Sequence, residues 1–325
     1  FKYKPENLDK EEKAVVHRQN QAKSDQNIVP KQSGLTTHKA QPIMIMGTSS
    51  GAGKSTLAIG LCRVLARRGY GVIPFKTQNM SNNGFQLPSG DEIAKSQVIA
   101  ALACGVEPTV DMNPILLKLA KGKMEVFLQG KSQGECSREE YSELKKDLWP
   151  KILESYERLS LNQDAMVLEG AGSPVEMNLK SGDMANFATA LRVKTPVILV
   201  ADIDRGGVFA SVCGTLMLLE PEERALVKGL IINRMRGDAS RYSEVAMSLE
   251  KLIDVPVLGL LPYLELKLED EDGLVDPRTG RKGPLTEAEA EREFDALARQ
   301  LEEHLDIPKI LDIMGLPGKE MGLKS

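Results

Sequence analysis

The chain has 325 residues, 42% hydrophobic and 27% charged, with a formal net charge of −4. These values suit one large or two modest globular domains and provide no general attraction to nucleic acid or an anionic membrane. No apolar run reaches the roughly 20 residues of a membrane helix, and the first residues are charged rather than apolar, so the expected location is cytoplasmic.

Residues 1–40 are rich in Lys, Gln, Asn, Ser and Glu and lack an apolar period, which predicts a flexible N-terminal tail or linker. From Pro42 short β-rich runs recur at Ile43–Met46, Val72–Phe75, Ala165–Leu168, Pro196–Ala201, Leu230–Ile232 and Val255–Leu261. Helical patterns separate them: Lys54–Arg68, Asp91–Cys104, Ser137–Leu159, Gly207–Leu218 and Ser240–Leu252. Continuous apolar strands alternating with helices predict an α/β, doubly wound, mostly parallel sheet covered on both faces, spanning residues 41–268. An acidic, turn-rich linker is expected over 269–285. Beyond it, Phe294, Leu297, Leu301 and Leu305 form one stripe of a predicted amphipathic helix within 286–325, and that stripe needs a cover.

The first strand runs into Gly47-Thr48-Ser49-Ser50-Gly51-Ala52-Gly53-Lys54-Ser55-Thr56 and then a helix, the context a phosphate-binding P-loop requires. Glycines let backbone N–H groups face phosphates, and the helix presents its positive end to them. Lys54 is placed to reach the β- and γ-phosphates of ATP, and the Ser55 hydroxyl to bind Mg²⁺. Gly47 lies one residue before the usual first glycine, a slot that Thr48 fills. This spacing occurs in the dethiobiotin-synthetase-like branch of P-loop proteins, whose ParA and MinD members carry a signature lysine early in the loop. Here that position is Ser49, which favours a metabolic ligase over a partition ATPase.

Glu169 ends an apolar strand before a glycine turn, where a carboxylate can hold Mg²⁺ beside the loop. Glu92 opens the predicted second helix, a position that acids also take for electrostatic reasons. Lys76 ends the second strand, at the edge where parallel sheets bind ligands. Asp202, Asp204 and Arg205 leave a later strand, and Asn233 ends the next, suited to a base edge. The only histidines are His17, His38 and His304, so no imidazole triad can form from the residues between 39 and 303. Cys62, Cys104, Cys136 and Cys213 lie far apart without a CxxC pair, which argues against zinc or a disulfide framework and for a reducing compartment.

Taken in order, GTSSGAGKST, PFKTQNMS, GDEIAKSQ, VDMNPILLK, LEGAGSPVEMNL, ADIDRGGVFAS, GLIINRMRGD and PVLGLLPY resemble the cobyric acid synthase family over about residues 42–265. The resemblance implies ATP- and Mg²⁺-dependent amidation of peripheral carboxylates of adenosylcobyrinic acid a,c-diamide through acyl phosphates. It implies that Gly47, Thr48, Gly51, Ala52, Gly53, Lys54, Ser55 and Thr56 bind the phosphates, Asn233 the adenine, and Ser55, Glu92 and Glu169 the metal. Lys54, Lys76 and Asp183 would be catalytic, Asp183 through handling of substrate or intermediate. Lys76, Gln78, Asn79, Asp204 and Arg205 would meet the corrinoid.

The family usually continues into a glutamine amidotransferase domain with a nucleophilic Cys and a His base. No Cys follows Cys213, and the segment from Arg281 to Asp306 resembles the last helix of such a domain. The expectation is therefore a synthetase lacking most of that domain, using free ammonia or ammonia from a separate glutaminase chain, with a homodimer allowed. The alternatives are a related P-loop carboxylate ligase, or a non-catalytic ATP-binding protein of ParA or MinD type.

Overall fold

The computed structural model describes residues 38–120, 123–180, 182–237, 240–264 and 286–319; the expected tail up to Thr37 and the expected linker 269–285 lie outside them. Strand β1 (Gln41–Gly47) alternates its side chains between two cores. Met44 and Met46 enter one, Ile43 and Ile45 the other. A strand buried on both faces belongs in the middle of a covered parallel sheet. β1 lies there, in a six-stranded sheet flanked by β9 (Ala165–Glu169) and β10 (Val197–Asp202). The sheet continues through β11 (Val227–Met235) and β12 (Val257–Pro262) on one side and ends at β2 (Val72–Phe75) on the other, with every pairing parallel.

One face of the sheet is covered by α1 (Lys54–Arg67) through Leu57, Leu61, Val64 and Leu65, and by α2 (Lys95–Cys104) through Ala100 and Ala103. The opposite face takes α3 (Arg138–Ser160), with Leu148, Ile152 and Tyr156 inward, together with Phe187 and Ala190 of α5 (Phe187–Val193). α4 (Met177–Lys180) is a single exposed turn before it. α6 (Val208–Met217) and α8 (Ser240–Ile253) extend that layer, and α7 (Pro221–Leu226) leads into β11. The doubly wound architecture expected from the strand and helix periodicity is the one found.

Two parts differ from the sequence reading. The helix expected from Asp91 begins only at Lys95, because β5 (Glu92–Ala94) pairs antiparallel with β4 (Gly84–Gln86). Asp91 is turned away to Ser89 and Lys131, and its carboxyl is held below the ordinary carboxylate range chiefly by the Ser89 hydroxyl. Residues 115–136, for which no elements were expected, form β6 (Ile115–Ala120), β7 (Lys123–Leu128) and β8 (Lys131–Cys136). With β3 (Gln78–Met80) they make a second sheet in the order β3-β6-β7-β8. The cross-strand pairs Leu117–Val126 and Leu116–Phe127 are buried, which holds β6 and β7 together.

The C-terminal stripe finds its cover within the chain. α9 (Glu287–His304) opens with a capping box between Thr286 and Glu289 and buries Phe294, Leu297, Ala298 and Leu301. Leu297 and Leu301 lie directly over Gly60 of α1. Arg63 donates to Asp295 at 2.8 Å and to Glu291 at 2.6 Å, and Arg68 meets Glu302 at 3.2 Å. The Asp306 N–H then donates to Leu258 O of β12 at 2.8 Å, and a further helix, α10 (Ile307–Met314), adds Ile307, Ile310, Leu311 and Met314 to the same core. The sequence pattern predicts only a tail there, although Asp306 as N-cap, Pro308 in the first turn and Gly315 at the C-cap mark the ends of α10.

Leu301→Ala removes fully buried methyl groups from the α1–α9 contact and is expected to cost about 2–5 kcal/mol of unfolding free energy. Urea unfolding followed by circular dichroism measures it; a midpoint equal to that of the unsubstituted chain would show that α9 does not belong to the cooperative core.

Candidate active site

The site lies where β1, β9 and β2 end side by side. Ile45 is in register with Glu169, and Phe75 with Leu168, so Lys76, the residue after β2, comes out beside Glu169 on one flank. The loop after β1 comes out on the other flank. Strand order alone therefore brings together three segments far apart in sequence, at the edge where parallel sheets bind ligands.

Within the loop, Gly51 and Gly53 have φ of +69° and +101°. At Gly53 a Cβ would stand 2.1 Å from Nδ2 of Asn233, so both conformation and space require glycine. No side chain caps the start of α1, so its first N–H groups face the loop uncapped. Lys54 is buried, and its Nζ donates to Gly172 O at 2.9 Å and to Ser49 O at 3.2 Å. The Thr48 N–H donates to Val200 O at 2.9 Å, whereas its hydroxyl is buried and finds no hydrogen-bond partner among the described residues. An oxygen-rich ligand in the loop would satisfy that hydroxyl.

Glu169 is the hub. Its Oε1 accepts from Ser55 Oγ at 2.7 Å and from Lys76 Nζ at 3.0 Å. Lys76 is only 1% exposed and the Glu169 side chain 4%, so this is a buried ion pair. Such a pair carries a heavy desolvation cost and persists only where the geometry is fixed. Backbone contacts fix it: the Lys76 N–H donates to Met112 O at 2.8 Å, and Nδ2 of Asn113 donates to Lys76 O at 3.0 Å. Asn113 also ties Ile115 O and accepts from Ala94 N–H, locking the three segments together. It escaped the sequence reading, though the Asn-Pro step before an apolar strand is a turn signal that could have pointed to it.

The remaining predicted residues divide into those that meet this hub and those that do not. Nδ2 of Asn233 donates to Ala52 O at 2.9 Å, and its Oδ1 accepts from Arg234 N–H at 2.8 Å, so the amide braces the loop from behind. Arg205 extends over the loop, with Nη2 3.3 Å from where a Cβ on Gly51 would be, and its Nε lies 3.4 Å from Asp202. Asp204 faces Arg236 at 2.6 Å, and the hydrogen bonds from that guanidinium hold its carboxyl below the ordinary range. Gln78 Oε1 accepts from the Tyr141 hydroxyl at 2.7 Å, and burial pushes that phenol above its ordinary pKa. Asn79 is buried and donates to Ser96 Oγ at 2.9 Å. Thr56 lies half-buried in the first turn of α1. Glu92, which stands in a strand rather than at a helix start, pairs with Lys118. The Asp183 carboxylate accepts from the N–H groups of Ala185, Asn186 and Ala188 at 3.0 Å each, fixing the entry to α5.

Among the described residues no three His, Cys, Asp or Glu side chains cluster so as to hold a metal by themselves. The Ser55 hydroxyl and Glu169 carboxylate, 2.7 Å apart, are nevertheless hard oxygen donors of the kind Mg²⁺ accepts when phosphate oxygens and water complete its octahedron.

A family profile described as the CobQ/CobB/MinD/ParA nucleotide binding domain matches residues 43–274. The chain belongs to this nucleotide-binding family. Among curated relatives, a cobyric acid synthase of Ruminiclostridium cellulolyticum is 49% identical over 247 residues, 76% of this chain and 48% of the relative. One from Yersinia enterocolitica is 48% identical over 71% of this chain and 46% of its own length. A third, from Streptococcus sanguinis, is 46% identical over 74% and 48%. The chain thus spans about half the length of the curated relatives it matches. Among the described residues, no helix is long and apolar enough to cross a membrane.

Lys76→Met removes the ammonium that pairs with the buried Glu169 carboxylate at 3.0 Å and is expected to destabilise the fold by about 3–5 kcal/mol. Lys76→Met combined with Glu169→Gln should recover part of that loss. Chemical denaturation of both variants checks it; a single variant as stable as the parent would remove the ion pair from the structural account.

Proposed function

We propose that this chain carries the ATP-dependent synthetase activity of a cobyric acid synthase, converting peripheral carboxylates of a corrinoid, adenosylcobyrinic acid a,c-diamide, into amides. The observation that carries this reading is the convergence of the P-loop, Glu169 and Lys76 in one buried constellation, in a chain whose curated relatives bear that name. A corrin carboxylate is a poor acyl donor. One carboxylate oxygen attacks the γ-phosphorus of ATP, ADP departs, and the acyl phosphate forms. Ammonia then adds to the acyl carbon, phosphate leaves with the bonding electrons, and the nitrogen loses a proton to give the amide.

Phosphoryl transfer of this kind asks the protein mainly for positioning and charge neutralisation. The loop amides and Lys54 hold the β- and γ-phosphates. Lys76 stands across Glu169 and neutralises charge that develops on the transferring group. Ser55 and Glu169 would hold Mg²⁺, which would supply charge screening for the phosphate oxygens. Glu92 is assigned to its pair with Lys118 rather than to the metal, and Asp183 acts through the backbone it holds. Asn233 offers its second amide hydrogen to the adenine edge while bracing Ala52. Gln78, Asn79, Asp204 and Arg205 would meet the corrinoid. The nitrogen enters as ammonia, supplied free or by glutamine hydrolysis, and the working compartment is the cytoplasm.

The purified chain, given the corrinoid, ATP and Mg²⁺, should release ADP and form amide with ammonium chloride, and do so far more slowly with glutamine. Lys54→Ala should lower the ammonium-dependent rate by at least a hundredfold, in line with the loss of transition-state charge stabilisation worth about 3 kcal/mol. A chain that binds ATP yet shows no corrinoid-dependent ADP release, followed by a coupled phosphate or ADP assay, would refute the reading.

A further inference from the structure

We infer that Asn186, which lies at the entry to α5 and outside the loops that hold ATP in the proposed reading, is a positioning residue that lets the site distinguish a nucleotide with a γ-phosphate from one without. The inference rests on that reading only in taking the P-loop as a nucleotide site. Three observations carry it.

The first is the side-chain amide itself. Asn186 is buried, and its Oδ1 accepts from Ala171 N–H at 3.2 Å while its Nδ2 donates to Ala171 O at 2.8 Å. Both backbone polar groups of one turn residue are thus held by one side chain, as a neighbouring strand would hold them. Gly170 leaves the space: a Cβ there would stand 2.4 Å from Asn186 Oδ1. The clamp and the glycine are one device.

The second is what the clamped turn carries. Glu169, two residues before Ala171, is the hub for Ser55 and Lys76. Gly172, the residue after Ala171, supplies the carbonyl on which Lys54 Nζ rests at 2.9 Å. Glu169 is additionally secured by β-sheet pairing, and the Gly170 N–H donates to Ile45 O at 2.9 Å. The described contacts give Ala171 no comparable anchor besides Asn186. Loss of the clamp therefore falls on the Gly172 side of the turn, where the ammonium that meets the γ-phosphate is held.

The third is that the start of α5 is itself fixed from both sides. The Asp183 carboxylate accepts from three backbone donors, the N–H groups of Ala185, Asn186 and Ala188. Thr189, one turn on, shares a 2.8 Å hydrogen bond with the hydroxyl of Thr77, the neighbour of Lys76. One short segment thus grips the turn bearing Gly172 and the strand end bearing Lys76. It sets their spacing without touching phosphate.

ADP is held chiefly by the loop amides, which Asn186 does not contact, whereas the γ-phosphate engages Lys54 and the turn. Titration calorimetry of the full chain with MgADP and with the non-hydrolysable ATP analogue AMP-PNP, for the parent, Asn186→Ala and Asn186→Asp, separates the two. Asn186→Ala is expected to weaken AMP-PNP at least fivefold and ADP less than twofold. Asn186→Asp keeps the acceptor for Ala171 N–H but sets a buried carboxylate oxygen against Ala171 O, so it should weaken AMP-PNP at least as much as Asn186→Ala. A residue serving stability alone would lower the fraction of binding-competent protein, or weaken both nucleotides equally. Equal weakening, unchanged binding in both variants, or a parent that binds AMP-PNP no tighter than ADP would each overturn the inference. If the parent discriminates the nucleotides but never amidates a corrinoid, the functional reading fails and the role of Asn186 stands.

Discussion

Glu169 occupies a position from which a single carboxylate touches both halves of the site. Its strand runs between β1 and β2. The carboxylate at its tip accepts from Ser55 on the P-loop side and from Lys76 on the other. Burial makes the arrangement consequential. With almost no solvent exposure on Lys76 or Glu169, neither charge has water to fall back on, and each depends on the other's placement. The rest of the sheet can be understood as holding those two strand ends at the right separation.

The surrounding polar residues serve the same constraint. Asn113 ties Lys76 to the second sheet, Asn233 ties the P-loop to β11, and Asn186 ties the turn after Glu169 to α5. Asparagine suits this work because its amide donates and accepts at once without adding a charge to a site already crowded with them. Behind the loop, α9 and α10 pack their apolar faces on α1 and β12, so the helix that presents Lys54 and Ser55 is backed by the C-terminal segment. That segment resembled the end of an amidotransferase domain when only its residues were considered. In the structure it belongs to the same compact unit as the P-loop body.

Much of this was legible in the sequence. Strands buried on both faces read as continuous apolar runs, so hydrophobicity alone places five of the six strands of the main sheet within about two residues of their ends. β11 was recognised only by its centre, since its outer residues, among them the exposed Lys228, lack that signal. The P-loop, Glu169 and Lys76 were legible because their chemistry is tied to strand ends. Less accessible were features set by tertiary pairing: β5 at Glu92, where an acid near a helical pattern reads as a helix start, and the meander β6–β8, whose short strands carry mixed polarity. Asp183 was legible as a residue of interest but not as a backbone cap, and Asn186 and Asn113 not at all. An amide that clamps a distant turn leaves no periodicity behind it.

The central claim is that this constellation moves a phosphoryl group onto a carboxylate rather than simply hydrolysing ATP. Its most direct measurement uses corrinoid substrate whose carboxylates carry ¹⁸O. Transfer through an acyl phosphate places one labelled oxygen in the phosphate released for each amide formed, read by mass spectrometry or by the ³¹P isotope shift. Labelled phosphate in step with amide is the predicted result. Amide formation with unlabelled phosphate would contradict the account.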